Sequence, residues 1–515
     1  MIADAITKSL NLPKTAFPLR ANSLQREPQL LARLSDDVYA HQATSRSAAP
    51  LFVLHDGPPF ANGKLHMGHA LNKILKDIVN RYKLLRGHRV QFIPGWDCHG
   101  LPIEHKALEK LPESARRDML RPESVLALRA HARAFAEDAI KGQMAEFRRW
   151  GVMADWNARY LTMDPRYEAA QLDAFLAMWE HGVITRGSMP VHWSPSSRTA
   201  LAEAELEYVD DHVSQAVLVG LALQRSNTPA IRDEEVKRTH EALNAAQGAA
   251  KLLIWTTTPW TLPANVAVSF NPSHEYVLCA VQTEGGATEH YVLGAKRVPY
   301  VESLLKCKVQ PVLSFPGHHL TGLSYSHPFI DRVSPMLPGD HVVVDSGSGL
   351  VHTAPGHGVE DFELCKAYNH HLSSSGSAAA PLPILCPVDE LGRFTPAAEH
   401  GLRSHLIPST SSSGAAKVLA GRAVLGEGNN AAIELLRAAG CLVHQAPYKH
   451  RYPYDWRTKK PVIFRATEQW FATLDSVRPL GMAAFALQRK RVYVLYDMCY
   501  MWLTTLYVCL LSRVS

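Results

Sequence analysis

The sequence predicts an α/β protein in which a parallel sheet is interrupted by a long β-rich segment. Three observations predict it. Residues 51–93 read as strand, long helix, strand. From about Asp210 the pattern turns to short β-type runs broken by Gly and Pro. The composition, 46% hydrophobic and 20% charged over 515 residues, is that of a globular chain with material for several cores, which excludes a disordered, collagen-like or coiled-coil protein.

Taken in order, Leu51–Leu54 (LFVL) is an apolar run that ends at His55-Asp56-Gly57-Pro58-Pro59, a strand followed by a loop. From Met67 apolar residues recur at three- and four-residue intervals: Leu71, Ile74, Leu75, Ile78, Tyr82 and Leu85, with Gly87 as the stop. Val90–Ile93 is the second strand, ended by Pro94-Gly95. Strand–helix–strand is a βαβ unit, normally parallel and right-handed. Glu123–Trp150 and Tyr167–His181 read as helices. Ala216–Leu221, Leu252–Trp255, Tyr276–Ala280 and His341–Asp345 read as strands of a separate β-rich domain. Ser373–Pro381 and Ser409–Ala416 are Ser/Ala/Gly-rich and read as exposed loops without chemistry.

Charge and cysteine bound the function loosely. Lys plus Arg is 54 and Asp plus Glu 48, a net +6 that permits a polyanionic partner without requiring one. The eight cysteines contain no C-x-x-C pair, against a disulfide scaffold or a Cys-only zinc site and in favour of a reducing compartment. Met1–Leu30 has no apolar h-region, so it is no secretory signal. Its Lys8, Lys14, Arg20 and Arg26 fit a weak organellar presequence or a solvated arm equally well. Val492–Leu511 is a 20-residue apolar stretch long enough to span a bilayer, but Asp497 inside it costs about 2.5–3.5 kcal/mol on insertion. Membrane insertion is therefore the weaker reading, and an abnormal terminus the stronger.

The most informative segment is Gly57–His69, GPPFANGKLHMGH, at the strand-to-helix turn where βα units bind phosphate. Its glycines let backbone approach a ligand closely. His66 and His69, three apart, share a face of the first helical turn. Two imidazoles there can donate to phosphate oxygens as charge builds during displacement at phosphorus. A metal-binding histidine pair is the rival reading; it has no third ligand at a convincing spacing.

The segment resembles the HIGH motif of class I aminoacyl-tRNA synthetases, and the words around it narrow the resemblance to the isoleucyl branch: HDGPPFA from His55, NKILKD from Asn72, PGWDCHGLPIE from Pro94. The opening SLNLPKTAFPLRAN from Ser9 resembles the bacterial and organellar branch. The resemblance implies a Rossmann-like catalytic domain, attack of isoleucine on the α-phosphate of ATP, and acyl transfer to tRNA(Ile). It implies that His66 and His69 stabilise the phosphates, that Gly57, Asn62 and Gly68 line the nucleotide, and that Pro58 borders the isoleucine side chain. Asp97, after the second strand, would hold the α-ammonium group; on its own it reads equally as a loop-capping Asp. Trp470, in ATEQWFATL, would wall the amino-acid pocket; on its own it reads as a core Trp. Further implications are ATP as substrate with Mg2+ accompanying it, a monomer, and the mitochondrial matrix, with the cytoplasm as alternative.

Two strings in the β-rich region, LLIWTTTPWTLPANVAV from Leu252 and GSGLVHTAPGHGVEDF from Gly347, read alone as a Thr-rich strand and a Gly turn. Both resemble the isoleucyl editing domain. That resemblance implies a hydrolytic pocket lined by Thr256, Thr257, Thr258 and Asn265, with Asp361 holding the α-ammonium of a misattached amino acid and His352 defining the side-chain pocket. A second site has a physical reason. Isoleucine and valine differ by one methylene, which in isoleucyl enzymes is worth only about 1–3 kcal/mol, so a smaller pocket must remove valine afterwards. No sequence-local base accompanies the hydroxyls, which favours a positioned water.

The resulting division is 1–209 for the arm and first part of the catalytic domain, 210–447 for the editing insertion, 448–487 for the return, and 488–515 for an atypical apolar tail. Three departures from the family pattern stand out. No Lys-Met-Ser-Lys string occurs, the family's adenylate-binding Gly-Trp segment is missing, as are the anticodon-binding helices, and Tyr452–Pro461 has no Cys pair where many relatives carry one, so no structural zinc is expected. Likeness to the family is expected to stop near Gln488, with a shifted frame, a retained intron or an alternative end beyond it. A C-terminally truncated ligase of this kind is expected to catalyse little ATP–pyrophosphate exchange. An editing-only deacylase and a non-enzymatic membrane-associated fragment are the alternative functions; another HxGH nucleotidyl transferase has no use for the second site.

Overall fold

The computed structural model describes residues 9–11, 22–119, 121–224, 233–246, 250–282, 286–343, 345–376, 379–406, 418–472, 478–479 and 481–482. The runs Val492–Leu511 and Ser409–Ala416 lie outside the described residues. The chain forms two compact units, residues 1–184 with 473–515, and 185–472. The first combines helices with parallel strand pairs and the second helices with parallel and antiparallel strands, the α/β class the sequence predicts.

In the first unit, α1 (Ser23–Leu31) runs through a π-helical turn into α2 (Val38–Ser45). Then follow β1 (Leu51–His55), α3 (Met67–Leu85) and β2 (Arg89–Ile93). β1 and β2 pair in parallel, Leu51 opposite Arg89 and His55 opposite Ile93, which is the expected βαβ unit. Gln42 of α2 imitates a strand on β2, donating to the Val90 carbonyl (2.8 Å) and accepting from its N–H (2.9 Å). The short strand β3 (Gly95–Trp96) pairs in parallel with β4 (Tyr160–Leu161). Gly95 lies so close under the Tyr160 ring that a Cβ would sit 2.0 Å from it.

Three helices, α4 (Leu101–Glu109), α5 (Glu113–Met119) and α6 (Val125–Arg149), separate those strands, and α7 (Pro165–Glu180) follows them. α6 turns Ala132, Ala136, Ile140, Gln143 and Phe147 inward, a four-four-three-four spacing that forms one stripe. The four apolar ones join Phe92, Trp96, Cys98, Ile103 and Met163 in the core of this unit.

Helix α3 has the predicted length, and its apolar stripe is exposed. Its buried side chains are Lys73 and Asn80, while Met67, Leu71, Ile74, Leu75, Ile78, Val79, Tyr82 and Leu85 are exposed. Periodicity gives the stripe correctly and is blind to which side faces water.

The second unit begins with β5 (Ile184–Ser194), β6 (Thr199–Ala200) and the long β7 (Leu206–Ala222). After α8 (Glu234–Ala245) come β8 (Lys251–Thr256), β9 (Ala267–Phe270), β10 (Glu275–Gln282), β11 (Thr288–Gly294), α9 (Val298–Leu305), β12 (Val309–Pro316), β13 (Ser324–Ser326), β14 (Val333–Pro338) and β15 (Val351–Thr353). α10 (Val359–Ser374), α11 (Glu427–Ala438), β16 (Leu442–Asp455) and β17 (Ile463–Ala472) complete it. A six-stranded sheet runs β12-β10-β11-β8-β7-β16, a four-stranded sheet β13-β14-β9-β15, and a three-stranded sheet β17-β5-β6. A core of Val217, Val219, Leu252, Ile254, Leu262, Val268, Phe270 and Tyr325 packs between them.

Two expectations change here. The described residues of His341–Asp345 form no strand: the Val342 N–H closes a turn onto the Gly339 carbonyl (3.2 Å), and its own carbonyl takes the Asn271 side chain (3.1 Å). The Ser-rich stretch starts inside a helix, since α10 runs to Ser374. The segment Tyr452–Pro461 contains a buried carboxylate. Asp455 accepts from the Ser194 hydroxyl (2.7 Å), the Ser197 hydroxyl and the Arg457 N–H (2.8 Å), clasping two turns together. Burial pushes this carboxyl up, but those donors win and hold it below its ordinary value. Among the described residues no helix is long and apolar enough to cross a membrane.

Candidate functional site

The loop between β1 and α3 is held from beneath by charge. Asp56, fully buried, pairs with Lys73 and with the Lys76 ammonium (2.9 Å), and accepts from the Gly95 N–H (3.1 Å). Its backbone carbonyl accepts from the Tyr160 hydroxyl (3.0 Å). A carboxylate buried in this way is tolerable only because its lone pairs are satisfied. Burial lowers the Lys73 pKa, and the contact with Asp56 opposes that shift. From the other side Gln143 of α6 donates to the carbonyls of Phe60 (3.1 Å) and Gly63 (2.8 Å), while its oxygen accepts from Trp96 (3.0 Å).

On this platform His66 and His69 cap α3 reciprocally. The Gly68 N–H donates to His66 Nδ1 (3.1 Å), and the His66 N–H donates to His69 Nδ1 (3.2 Å). The ring centroids are 3.9 Å apart. With both Nδ1 atoms accepting, each neutral ring carries its proton on Nε2. Burial, then His66 and Lys73, lower the His69 pKa, which keeps that ring neutral near pH 7. Two backbone donors of the helix start are thus spent on the imidazoles, so an anion arriving here meets imidazole N–H groups rather than those amides.

The remaining predicted residues of this loop lie along its course. Gly57 is exposed and Asn62 and Pro58 are half-buried. Asp97 bridges in parallel to Phe60, its N–H donating to the Pro59 carbonyl (2.9 Å) and its carbonyl accepting from Ala61 (2.8 Å). Its carboxylate accepts from the Thr162 hydroxyl (3.3 Å), and among the described residues no cation pairs with it. Trp470 lies in the second unit, on β17, with 50% of its surface exposed.

The Thr/His group of the second unit is closed rather than open. Thr256 and Thr258 bring their hydroxyls to 3.2 Å, and the Thr258 N–H donates to Thr256 Oγ1 (3.1 Å). Thr257 is half-buried. Fully buried Asn265 donates to the Ala267 carbonyl (2.9 Å) and to His352 Nδ1 (2.8 Å), and its oxygen accepts from the Tyr325 hydroxyl (2.5 Å). Thr261 gives its one proton to the Thr258 carbonyl (2.8 Å), so it accepts from His352 Nε2 (2.8 Å). Every polar atom of His352 is matched, and burial depresses its pKa to about 3. The imidazole is a neutral strut at any physiological pH.

Asp361, in the first turn of α10, accepts from the Ala354 N–H (2.8 Å), and burial pushes its carboxyl up to about 6. Such a carboxyl gains most from an arriving cation. His357 donates through Nδ1 to the Phe464 carbonyl (2.9 Å), and burial lowers its pKa to about 4.

Residues 32–501 match the family of tRNA synthetases class I (I, L, M and V). The chain is a class I tRNA synthetase. The family match runs past Gln488, where the sequence reading put the end of likeness. The synthetase chain is 46% identical over 474 residues to the isoleucine–tRNA ligase of Parasynechococcus marenigrum, covering 91% of this chain and 45% of that one. It is 43% identical over 498 residues to the chloroplastic/mitochondrial isoleucine–tRNA ligase of Arabidopsis thaliana, covering 93% of this chain and 41% of that one. It therefore spans about half the length of the curated relatives it matches. Among solved structures, a ternary complex of Agrobacterium radiobacter LeuRS with tRNA and LeuAMS aligns at 19% identity and a TM-score of 0.33, over 70% of this chain and 46% of that one. That likeness is too distant to inform geometry.

Several residues that hold these two clusters together lie outside the sequence expectations. Asp56, Lys73 and Lys76 stand inside the strings HDGPPFA and NKILKD, and Thr261 stands three residues beyond Thr258. Proximity to the motifs was the available signal for these. Gln143, Thr162 and Tyr325 had none, because each reaches its partner across 47 or more positions.

Proposed function

We propose that the chain serves the charging of tRNA(Ile). In this reading the first unit binds ATP and isoleucine for formation of isoleucyl-adenylate, and the second hydrolyses valine misattached to the same tRNA. The observation that carries the reading is the reciprocal cap of His66 and His69, which occupies both Nδ1 atoms and so leaves the ring protons on Nε2, at a loop seated on a buried carboxylate. The curated relatives named isoleucine–tRNA ligase supply the substrate. Asp97, whose carboxylate has a hydroxyl but, among the described residues, no cation beside it, suits the amino-acid ammonium, with Gly57, Pro58, Asn62 and Gly68 along the loop. Mg2+ would accompany the ATP phosphates, as it does where carboxylates and substrate phosphates share its coordination. The Arabidopsis relative supports an organelle, and we assign the protein to the mitochondrial matrix, acting as a monomer.

For the second unit, Thr256, Thr257, Thr258 and Asn265 would position water on the ester and Asp361 would hold the α-ammonium, with His352 bracing Asn265 from below. Hydrolysis of valyl-tRNA(Ile) by the purified chain tests this. Release of valine should fall roughly hundredfold in Asp361→Ala, as expected for a partly buried charge contact, and isoleucyl-tRNA(Ile) should survive. Equal hydrolysis by wild type and variant would overturn the assignment.

A further inference from the structure

The cluster under the phosphate loop carries more positive charge than the loop needs. Asp56 contributes one negative charge; Lys73 and Lys76 contribute two positive ones. Lys73 is consumed. It is 2% exposed at its side chain, pairs with Asp56, and lies over the rings of Phe147 (5.0 Å) and Phe92 (5.8 Å). Lys76 differs. Its side chain is 19% exposed and, among the described residues, makes one polar contact, at 2.9 Å to Asp56 Oδ1, which uses one of its three N–H donors. Its ammonium lies against Gly57, 3.6 Å from where a Cβ would project. A side chain at 57 would thus stand beside that ammonium.

We infer that Lys76 is a further ligand of the nucleotide phosphates: the Asp56 contact fixes its ammonium at the Gly57 backbone with donors to spare, and the unbalanced positive charge of the cluster is neutralised when a polyphosphate binds. Lys73 is the positioning residue. It balances Asp56, so that Asp56 can hold Lys76 in place without neutralising it. A buried or half-buried ammonium attracts an anion more strongly than a solvated one, because less water screens it. The inference rests on the nucleotide reading of this loop but adds a residue which that reading does not include.

Two titrations of the full chain test it, one with ATP by equilibrium dialysis and one with inorganic tripolyphosphate by thermal shift. The variants are Lys76→Gln, Lys76→Arg and, as a control, Lys83→Gln on the same helix. Lys76→Gln should weaken ATP about tenfold and abolish most of the tripolyphosphate shift, the loss expected of one charge-assisted contact. Lys76→Arg should restore both to within about threefold of wild type, since the charge remains. Lys83→Gln should change neither, and adenosine binding should be the same in all four proteins. Asp56 keeps Lys73 and the Gly95 N–H in Lys76→Gln, so the loop retains its support.

Each result decides something. Unchanged ATP and tripolyphosphate affinity in Lys76→Gln overturns the inference and leaves the nucleotide reading standing. An equal loss for adenosine also overturns it, because the contact is then not to phosphate. A tripolyphosphate shift that depends on Lys76, in a chain that binds neither ATP nor adenosine, upholds Lys76 as a polyphosphate ligand and overturns the nucleotide reading instead.

Discussion

The two candidate sites treat histidine in opposite ways. In the first unit His66 and His69 use Nδ1 to cap a helix, and among the described residues Nε2 of each has no hydrogen-bond partner. In the second, His352 spends both nitrogens, on Thr261 and Asn265, and is 8% exposed. The same side chain is a helix cap with a nitrogen to spare in one place and a strut in the other. What decides is the number of partners the fold supplies, not the residue type. The supports invert likewise. The open histidines sit on a buried ion cluster, whereas the closed one sits in a net of neutral groups.

That contrast gives an ordered set of tests. The largest effect belongs to Asp56→Ala. It leaves two ammonium groups without their carboxylate, one of them 2% exposed, and breaking a buried ion pair in this way costs about 3–5 kcal/mol. Hydrogen exchange should rise over residues 51–63 and at Gly95 while the second unit keeps its protection. His352→Ala comes next. It deletes a ring and strands Thr261 Oγ1 and one Asn265 N–H, for about 2–4 kcal/mol. Exchange should then rise around residues 261–268 and 351–354. Comparable loss of protection in both units from either variant would erase the distinction.

The third test separates strut from ligand by pH. His352, depressed to about 3, and His357, depressed to about 4, do not titrate between pH 5 and 8. Asp361, raised to about 6, does. Its folded carboxyl keeps a proton that the unfolded chain releases near 3.8, so its contribution to stability is present below that value and lost as pH rises through about 6. Binding an ammonium group needs the opposite state. Deacylation of valyl-tRNA(Ile), corrected for spontaneous hydrolysis, should therefore fall about tenfold per pH unit below 6 and level above 7. Asp361→Asn should flatten the profile. A profile that keeps its inflection in that variant assigns the titration elsewhere.

These tests also mark where sequence reasoning reached. The βαβ unit was legible because helical and strand periods are local, and β1, α3 and β2 begin and end within two residues of expectation. The histidine pair and the threonine run were legible because their chemistry is contiguous. Asp56 was not. A carboxylate beside a glycine loop looks like any turn residue until the two lysines, 17 and 20 positions away, fold under it. Asn265 and His352 were both singled out, yet the bond between them, spanning 87 positions, and its closure by Thr261 and Tyr325 belong to the tertiary fold. The His341–Asp345 run has β-type residues, and a turn at Gly339 took its hydrogen bonds first.

The smallest expected effect concerns helix α3, whose apolar stripe is exposed. Ile78 and Leu71 are 56% and 61% exposed, so their apolar surface is already in water in this structure. Replacing either with Ser removes little burial and adds a hydroxyl that water satisfies, which should leave stability within about 0.5 kcal/mol. Leu262, at 0% exposed in the second unit, occupies the opposite situation, and Leu262→Ala should cost about 2–5 kcal/mol. Urea midpoints of the three variants measure both. If Ile78→Ser or Leu71→Ser proves as costly as Leu262→Ala, the stripe on α3 is covered in solution, and the open character assigned to the first unit does not hold. If both are silent, the helix is held by its polar side alone, through Lys73, Lys76 and Asp77, the last of which accepts from the Met153 N–H at 2.8 Å.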